Sequence, residues 1–199
     1  MGKVMSLKKL SVELLLGIAC SMLTVAGWSQ VPADPWRQVE TILSQITPPQ
    51  FPKNEFNITG FGAIGDGTTD CTNAFSNAIV ACNKAGGGKV IVPKGKYLTG
   101  AIHLKSNVNL YIDREATILF SRDTKKFLPL VLTRFEGVEL MNYSPFIYAY
   151  GQENIAITGE GVLDGQAAEE FWWPWKYKGP QSQAVANNKL RAMAKENVP

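Results

Sequence analysis

Between Ser106 and Gly165, apolar and polar residues alternate with a period of two, in short runs broken by polar corners. Val108, Leu110 and Ile112 alternate with Asn109 and Tyr111. A corner at Asp113, Arg114 and Glu115 then leads into Ile118 and Phe120. The strand–turn–strand unit recurs as Val138 and Leu140 followed by Phe146 and Tyr148, and again as Ile155 and Ile157 followed by Leu163. Val138 to Ile155 is a step of 17 residues, and so is Phe146 to Leu163, as the stacked coils of a solenoid would be spaced. An earlier coil falls at Val90 and Ile102. The step of 30 residues from Val108 to Val138 requires a loop in that coil, placed at residues 121–135. With no helical crossover between these runs, the pattern predicts an all-β fold, a right-handed parallel β-helix, against which an antiparallel meander is the ordinary alternative. Val108, Val138 and Ile155 are expected to stack in parallel strands with their side chains inward.

Two helical patterns precede the coils. Asp34 and Pro35 form a helix start, and Trp36, Val39, Ile42, Leu43 and Ile46 then share one face until Pro48, Pro49 and Pro52 stop it. This amphipathic helix is expected to lie on the body that follows. Further on, Gly60, Gly62, Gly65 and Gly67 surround Asp66 in a tight turn that matches no phosphate-binding fingerprint. Asp70 then caps a helix whose Ala74, Phe75, Ala78, Ile79 and Cys82 face one way, and Gly86, Gly87 and Gly88 end it. One apolar face is what a helix needs to seal the open end of a solenoid.

Lys3, Lys8 and Lys9 precede an apolar run from Leu10 to Ala26, with small residues at Gly27 and Ser29. Residues 1–29 therefore read as a secretory signal peptide and the destination as secreted or periplasmic. Of 20 basic and 17 acidic residues in the chain of 199, cleavage would leave 17 and 16, a net charge of +1. The apolar run is too short and too weakly flanked for a membrane span, so no stable membrane association is expected. The charge balance does not imply nucleic acid, and attraction to an acidic substrate must come from local charge. Cys71 and Cys82, eleven residues apart, would sit about 16 Å from each other on one helix, beyond disulfide reach. They read as small buried apolar residues, and no metal site is implied.

His103, the sole histidine, lies between Ile102 and Leu104 and points outward, with no nucleophile or carboxylate partner in sight. The loop at 121–135 carries Lys125, Lys126 and Arg134, cations that could meet substrate carboxylates. Arg134 and Glu136 are the candidate groove residues, although Glu136 and Glu139 stand near enough to Arg134 for an ion pair. Asp164 ends a coil between a leucine and a glycine, where a turn-stabilising role is the ordinary one. Phe171, Trp172, Trp173, Trp175 and Tyr177 fall within seven residues and either stack on sugar rings or pin a loop, pinning being the favoured reading. No further coil follows, so the chain is expected to be an incomplete piece of a longer protein.

These residues carry a family likeness. GFGAIGDGTTDCTNAFSNAI resembles the entry segment of pectin-processing β-helix proteins. PKGKYLTGAIHLKSNVNLYIDREATILFSRD, RFEGVEL, NYSPFIYAY and NIAITGEGVLDGQ resemble glycoside hydrolase family 28, the polygalacturonases, over residues 56–199. The resemblance implies a pectin-lyase-like solenoid that hydrolyses α-1,4-galacturonosyl or related rhamnogalacturonan linkages of pectin with inversion, as a monomer and without a cofactor or metal. Its catalytic groups would come from Asn-x-Asp, Asp-Asp, Gly-His-Gly and Arg-x-Lys motifs, and none of these occurs here. No catalytic residue is therefore assigned in this chain, which is expected to be the amino-terminal part of such an enzyme, with residues 30–55 a helix and linker. A β-helix polysaccharide lyase and a non-catalytic carbohydrate-binding β-helix module are the alternatives.

Overall fold

A computed structural model describes residues 36–171, 173–176 and 182–198. The proposed signal peptide and the Asp34–Pro35 helix start lie outside the described residues, as do Trp172 and Tyr177. The chain divides into two units, residues 1–48 and 49–199. Of the first unit the described part is helix α1, Arg37–Gln45, on which Val39, Ile42 and Leu43 are exposed, as are the flanking Trp36 and Ile46.

The second unit is a stack of parallel coils. Strands β1 (Glu55–Asn57) and β2 (Asp66–Asp70) lead into helix α2 (Thr72–Lys84). The first full coil is β3 (Gly88–Val92), β4 (Gly95–Thr99) and β5 (Ile102–His103). The next is β6 (Val108–Ile112), β7 (Ala116–Phe120) and, after an excursion, β10 (Ile147–Tyr148). A last one holds β11 (Ala156–Gly159) and β12 (Val162–Asp164). The strands form three parallel sheets, ordered β1-β3-β6-β11, β2-β4-β7-β12 and β5-β10, and the two middle coils place one strand in each. Right-handed winding is the hand that parallel crossovers take.

The alternation predicted for β6 is what fills the core. Val108, Leu110 and Ile112 are buried, and Leu110 lies between Val90 on one side and Ile157 on the other. Corners are equally repetitive: Asn107 and Asn154 both adopt positive φ just before β6 and β11, and the Asn154 amide donates to Asn107 Oδ1 at 3.0 Å. Asparagine tolerates that conformation better than other non-glycine residues, so the same residue turns the chain at the same corner twice.

The five residues assigned to the inner face of α2 are all buried. Its start is held by Asp70, whose Oδ1 accepts from the Thr72 backbone N–H at 2.9 Å and from the Thr72 hydroxyl at 2.5 Å. At its end Gly86 takes φ +87, the Gly87 N–H donates to the Cys82 carbonyl and the Gly86 N–H to that of Asn83, a Schellman closure. Asp70 Oδ2 also accepts from Lys126 Nζ at 2.5 Å, tying the helix start to the excursion. Burial draws the Asp70 carboxyl upward, but the hydrogen bonds from Lys126 and Thr72 outweigh it and bring the pKa down to about 2. Hydrogen bonds from the Thr69 and Thr68 backbone likewise depress Asp66. Carboxyls depressed on folding stabilise the fold above their unfolded pKa of about 4 and lose that contribution as pH falls towards the folded value. Asp70→Ala is expected to cost about 1 kcal/mol through the lost cap. The wild-type protein should lose stability between roughly pH 4 and 2, and the variant less steeply, as followed by urea midpoints across that range.

Cys71 precedes α2 and Cys82 lies within it; both are free and buried, as the spacing predicts. Burial pushes the Cys71 thiol up and that of Cys82 to about 11. Alkylation should therefore be slow on the native protein and fast in denaturant, with both thiols labelled without reductant. A bridge between them, seen by mass spectrometry, would contradict this geometry.

The coil expected at Val138 and Leu140 does not form. Strands β8 (Val131–Phe135) and β9 (Val138–Asn142) pair antiparallel, Phe135 opposite Val138, as a hairpin that leaves the stack between β7 and β10. Glu136 and Gly137 make its two-residue turn, with φ +46 and +89. Positive φ at both central positions is the turn whose twist suits paired strands. Val108 and the residues opening β11 do stack, through Asn109 against Ala156, while Val138 stands outside the column. The 17-residue step from Val138 to Ile155 thus compares a hairpin strand with a coil strand, that from Phe146 to Leu163 compares the edge of the third sheet with a strand of another, and the excursion reaches past Phe135 into the 140s. The expected loop also contains a 3₁₀ turn, Thr124–Phe127, whose Phe127 returns to the core.

Candidate functional site

The two-stranded third sheet presents one short face outward. In β5 Ile102 is buried and His103 exposed, and in-register pairing sets Tyr148 of β10 beside His103, with ring centroids 5.3 Å apart. Ser144 Oγ lies 3.1 Å from His103 Nε2 and donates to the Pro145 carbonyl at 2.9 Å. A hydroxyl has one proton, so Nε2 is the donor of the pair. Burial, then Lys105, lowers the His103 pKa, which keeps the ring neutral near pH 7. The Tyr148 hydroxyl donates to the Leu132 carbonyl at 2.7 Å and fastens the hairpin alongside this face.

Next to Ser144 the corners after β7 and β12 enclose a cavity of about 670 Å³. Phe146, between Ser144 and β10, stacks on Phe120 at 4.5 Å with planes 7° apart and meets Phe127 at 5.6 Å. Phe146 and Phe127 build one wall, and Phe171 with Trp173 of the short helix α3 (Trp173–Lys176) adds another. Asp164 Oδ1 accepts from the Gln166 N–H at 2.7 Å, the turn role expected of it, and Gln166 Nε2 donates to the Phe120 carbonyl at 2.7 Å. Arg122 is the one charged residue among the described lining residues, its guanidinium 4.3 Å from the Phe171 ring centroid.

Arg134 and Glu136 sit elsewhere. Both are on the hairpin, Arg134 paired with Glu139 at 3.0 Å and Glu136 with Arg191 of helix α4 (Ala184–Lys195). Neither lines the cavity. Lys126 is held by Asp70. The loop is legible in the sequence as a source of cations, but it is Arg122, and not Lys125, Lys126 or Arg134, that lines the cavity. The signal for it is positional, since Arg122 and Gln166 both follow core strands at the same corner of successive coils, one layer apart. Among the described residues no group of three or more His, Cys, Asp and Glu is close enough to hold a metal ion. No helix among them is long and apolar enough to cross a membrane.

Comparison with known proteins gives the coils their context. Residues 55–124 match the family model described as rhamnogalacturonase A/epimerase, pectate lyase-like. The crystal structure of a hyperthermoactive exopolygalacturonase from Thermotoga maritima superposes with a TM-score of 0.76 at 48% identity, covering 83% of this chain and 39% of that one. A probable polygalacturonase of Vitis vinifera is 32% identical over 126 residues, 59% of this chain and 25% of the relative. The exo-poly-alpha-D-galacturonosidase of Dickeya chrysanthemi is 30% identical over 149 residues, 71% of this chain and 23% of the relative. The chain thus spans about a quarter of the length of these curated relatives. Over the part of their length that it spans, the chain is thus similar to polygalacturonases, members of glycoside hydrolase family 28, and shares the coil architecture of one of them.

Proposed function

We propose that the protein hydrolyses galacturonosyl or related linkages of pectin, with inversion and without a metal, outside the cytoplasm. In this reading residues 1–29 direct export, 30–55 form a helix and linker, and 56–199 supply the first coils of the hydrolase domain. The observation that carries it is the 48% identity to an exopolygalacturonase over 83% of the chain, in the same coil architecture. The outward face of the third sheet and the aromatic cavity beside it form a flank of the polysaccharide groove. Arg134 and Glu136 belong to its rim. The Arg134–Glu139 pair is two-thirds exposed on both sides, and exposed pairs contribute about 0–1 kcal/mol, so a polyanion can compete for the guanidinium.

Five carboxylates of the coils and hairpin are occupied with structure: Asp66, Asp70 and Asp164 accept from backbone N–H groups at turns and the helix start, and Glu136 and Glu139 are ion-paired. An inverting hydrolase needs a general acid and a general base on opposite faces of the glycosidic bond, with room between them for water. Those groups come from motifs that this sequence does not contain. A reducing-sugar assay of the whole protein on polygalacturonate and rhamnogalacturonan, with and without chelator, tests the reading. Saturated products at an unchanged rate are expected, whereas chelator-sensitive release of unsaturated products would make it a lyase.

A further inference from the structure

We infer that Arg122 and the aromatic cavity it lines form a binding subsite for one uronate unit of the substrate chain, with Arg122 taking the carboxylate and Phe171 the sugar face. The inference rests on the pectin-hydrolase reading and adds to it a place on this chain and a residue. Four observations carry it. The cavity, about 670 Å³, is larger than one pyranose ring needs, and ligand pockets of a few hundred Å³ are ordinary. Four of its described lining residues, Phe127, Phe146, Phe171 and Trp173, are aromatic, and aromatic faces stack on the apolar faces of sugars. No aspartate or glutamate is among the described lining residues, so the local field favours an anion.

The fourth observation is the state of Arg122 itself. Every other arginine for which an ion pair is found here, Arg114, Arg134 and Arg191, has a glutamate partner. Among the described residues Arg122 has neither a carboxylate partner nor a hydrogen bond; what it has is the ring of Phe171. Contact with an aromatic face holds a guanidinium in place without using its N–H donors. Five donors in a planar fork are then available to a planar carboxylate, which they can bind through two parallel hydrogen bonds. Phe127, Phe146 and the Gln166–Phe120 bond fix the floor beneath, so this part of the site is built before ligand arrives.

Calorimetric titration of the protein with trigalacturonate and with the uncharged α-1,4-linked galactotriose tests this. Arg122→Gln is expected to weaken trigalacturonate binding roughly 10- to 100-fold, the size of one lost charge-assisted hydrogen-bonded contact, and to leave galactotriose unchanged. Arg122→Lys, which keeps the charge and loses the fork, should fall between, and Phe171→Ala should weaken both ligands. Trigalacturonate affinity unchanged in Arg122→Gln would overturn the inference, as would equal losses for the two ligands in that variant. If those results come with normal hydrolysis of polygalacturonate, the subsite alone is wrong. If the wild-type protein neither binds nor cuts galacturonans, the underlying reading fails with it.

Discussion

Gly88→Ala is expected to destabilise the protein by about 2–5 kcal/mol, the sum of left-handed backbone strain and forced overpacking. Gly88 opens β3 at φ +145, where it lies in register with Val108. A Cβ there would run into the Asn54 carbonyl and stand 2.9 Å from the Asn54 Cβ. That carbonyl is already used, accepting from the Lys89 N–H at 2.8 Å, while the Asn54 side chain donates to the Gly87 carbonyl at 3.1 Å. Pushing Asn54 away therefore breaks the approach of β1 to β3 as well as straining the glycine. Gly60→Ala is the matched control, because nothing lies within 4 Å of its Cβ position and its φ is ordinary. Urea midpoints should fall for Gly88→Ala and stay within about 0.5 kcal/mol for Gly60→Ala. Equal effects would mean that the close approach of these coils is not what the glycine serves.

The second large effect is on activity. The 199-residue chain alone is expected to leave polygalacturonate at background, while the whole protein cuts it. Each proton-transfer role contributes roughly 10²–10⁴ in rate, so a chain lacking both the acid and the base forfeits the product of the two. Nothing in the described site replaces them. His103 is neutral, donates Nε2–H to a serine and faces no carboxylate partner. Asp164 is committed to its turn by the Gln166 N–H. A reducing-sugar assay on both proteins decides the matter, and turnover by the chain alone would place the chemistry on the described coils.

What the sequence disclosed and what it hid divide along physical lines. Strands buried on the inner face, such as β6, show period two because each inward residue must be apolar, and α2 shows its face at helical spacing for the same reason. The hairpin obeys period two as well, since Val138, Leu140 and Asn142 alternate in burial with Glu139 and Met141. Alternation reports one covered face and is blind to whether the partner strand is parallel. The distinguishing signal was local, in the Glu136–Gly137 pair, because a two-residue turn can only join antiparallel neighbours. The strands at Ile102 and Tyr148 were legible, but with two residues in each, the sequence did not show that they pair with one another as a third sheet. Arg122 was hidden because its value depends on Phe171, 49 positions along the chain, which only coil stacking brings to it.

The central claim, that these coils belong to an inverting pectin hydrolase, is tested most directly by the stereochemistry of the first product. Proton NMR of the whole protein acting on oligogalacturonate should show the β-anomer of the new reducing end appearing first and then mutarotating, with saturated products and no loss of rate in chelator. Initial release of the α-anomer, or unsaturated products that disappear with chelator, would contradict it.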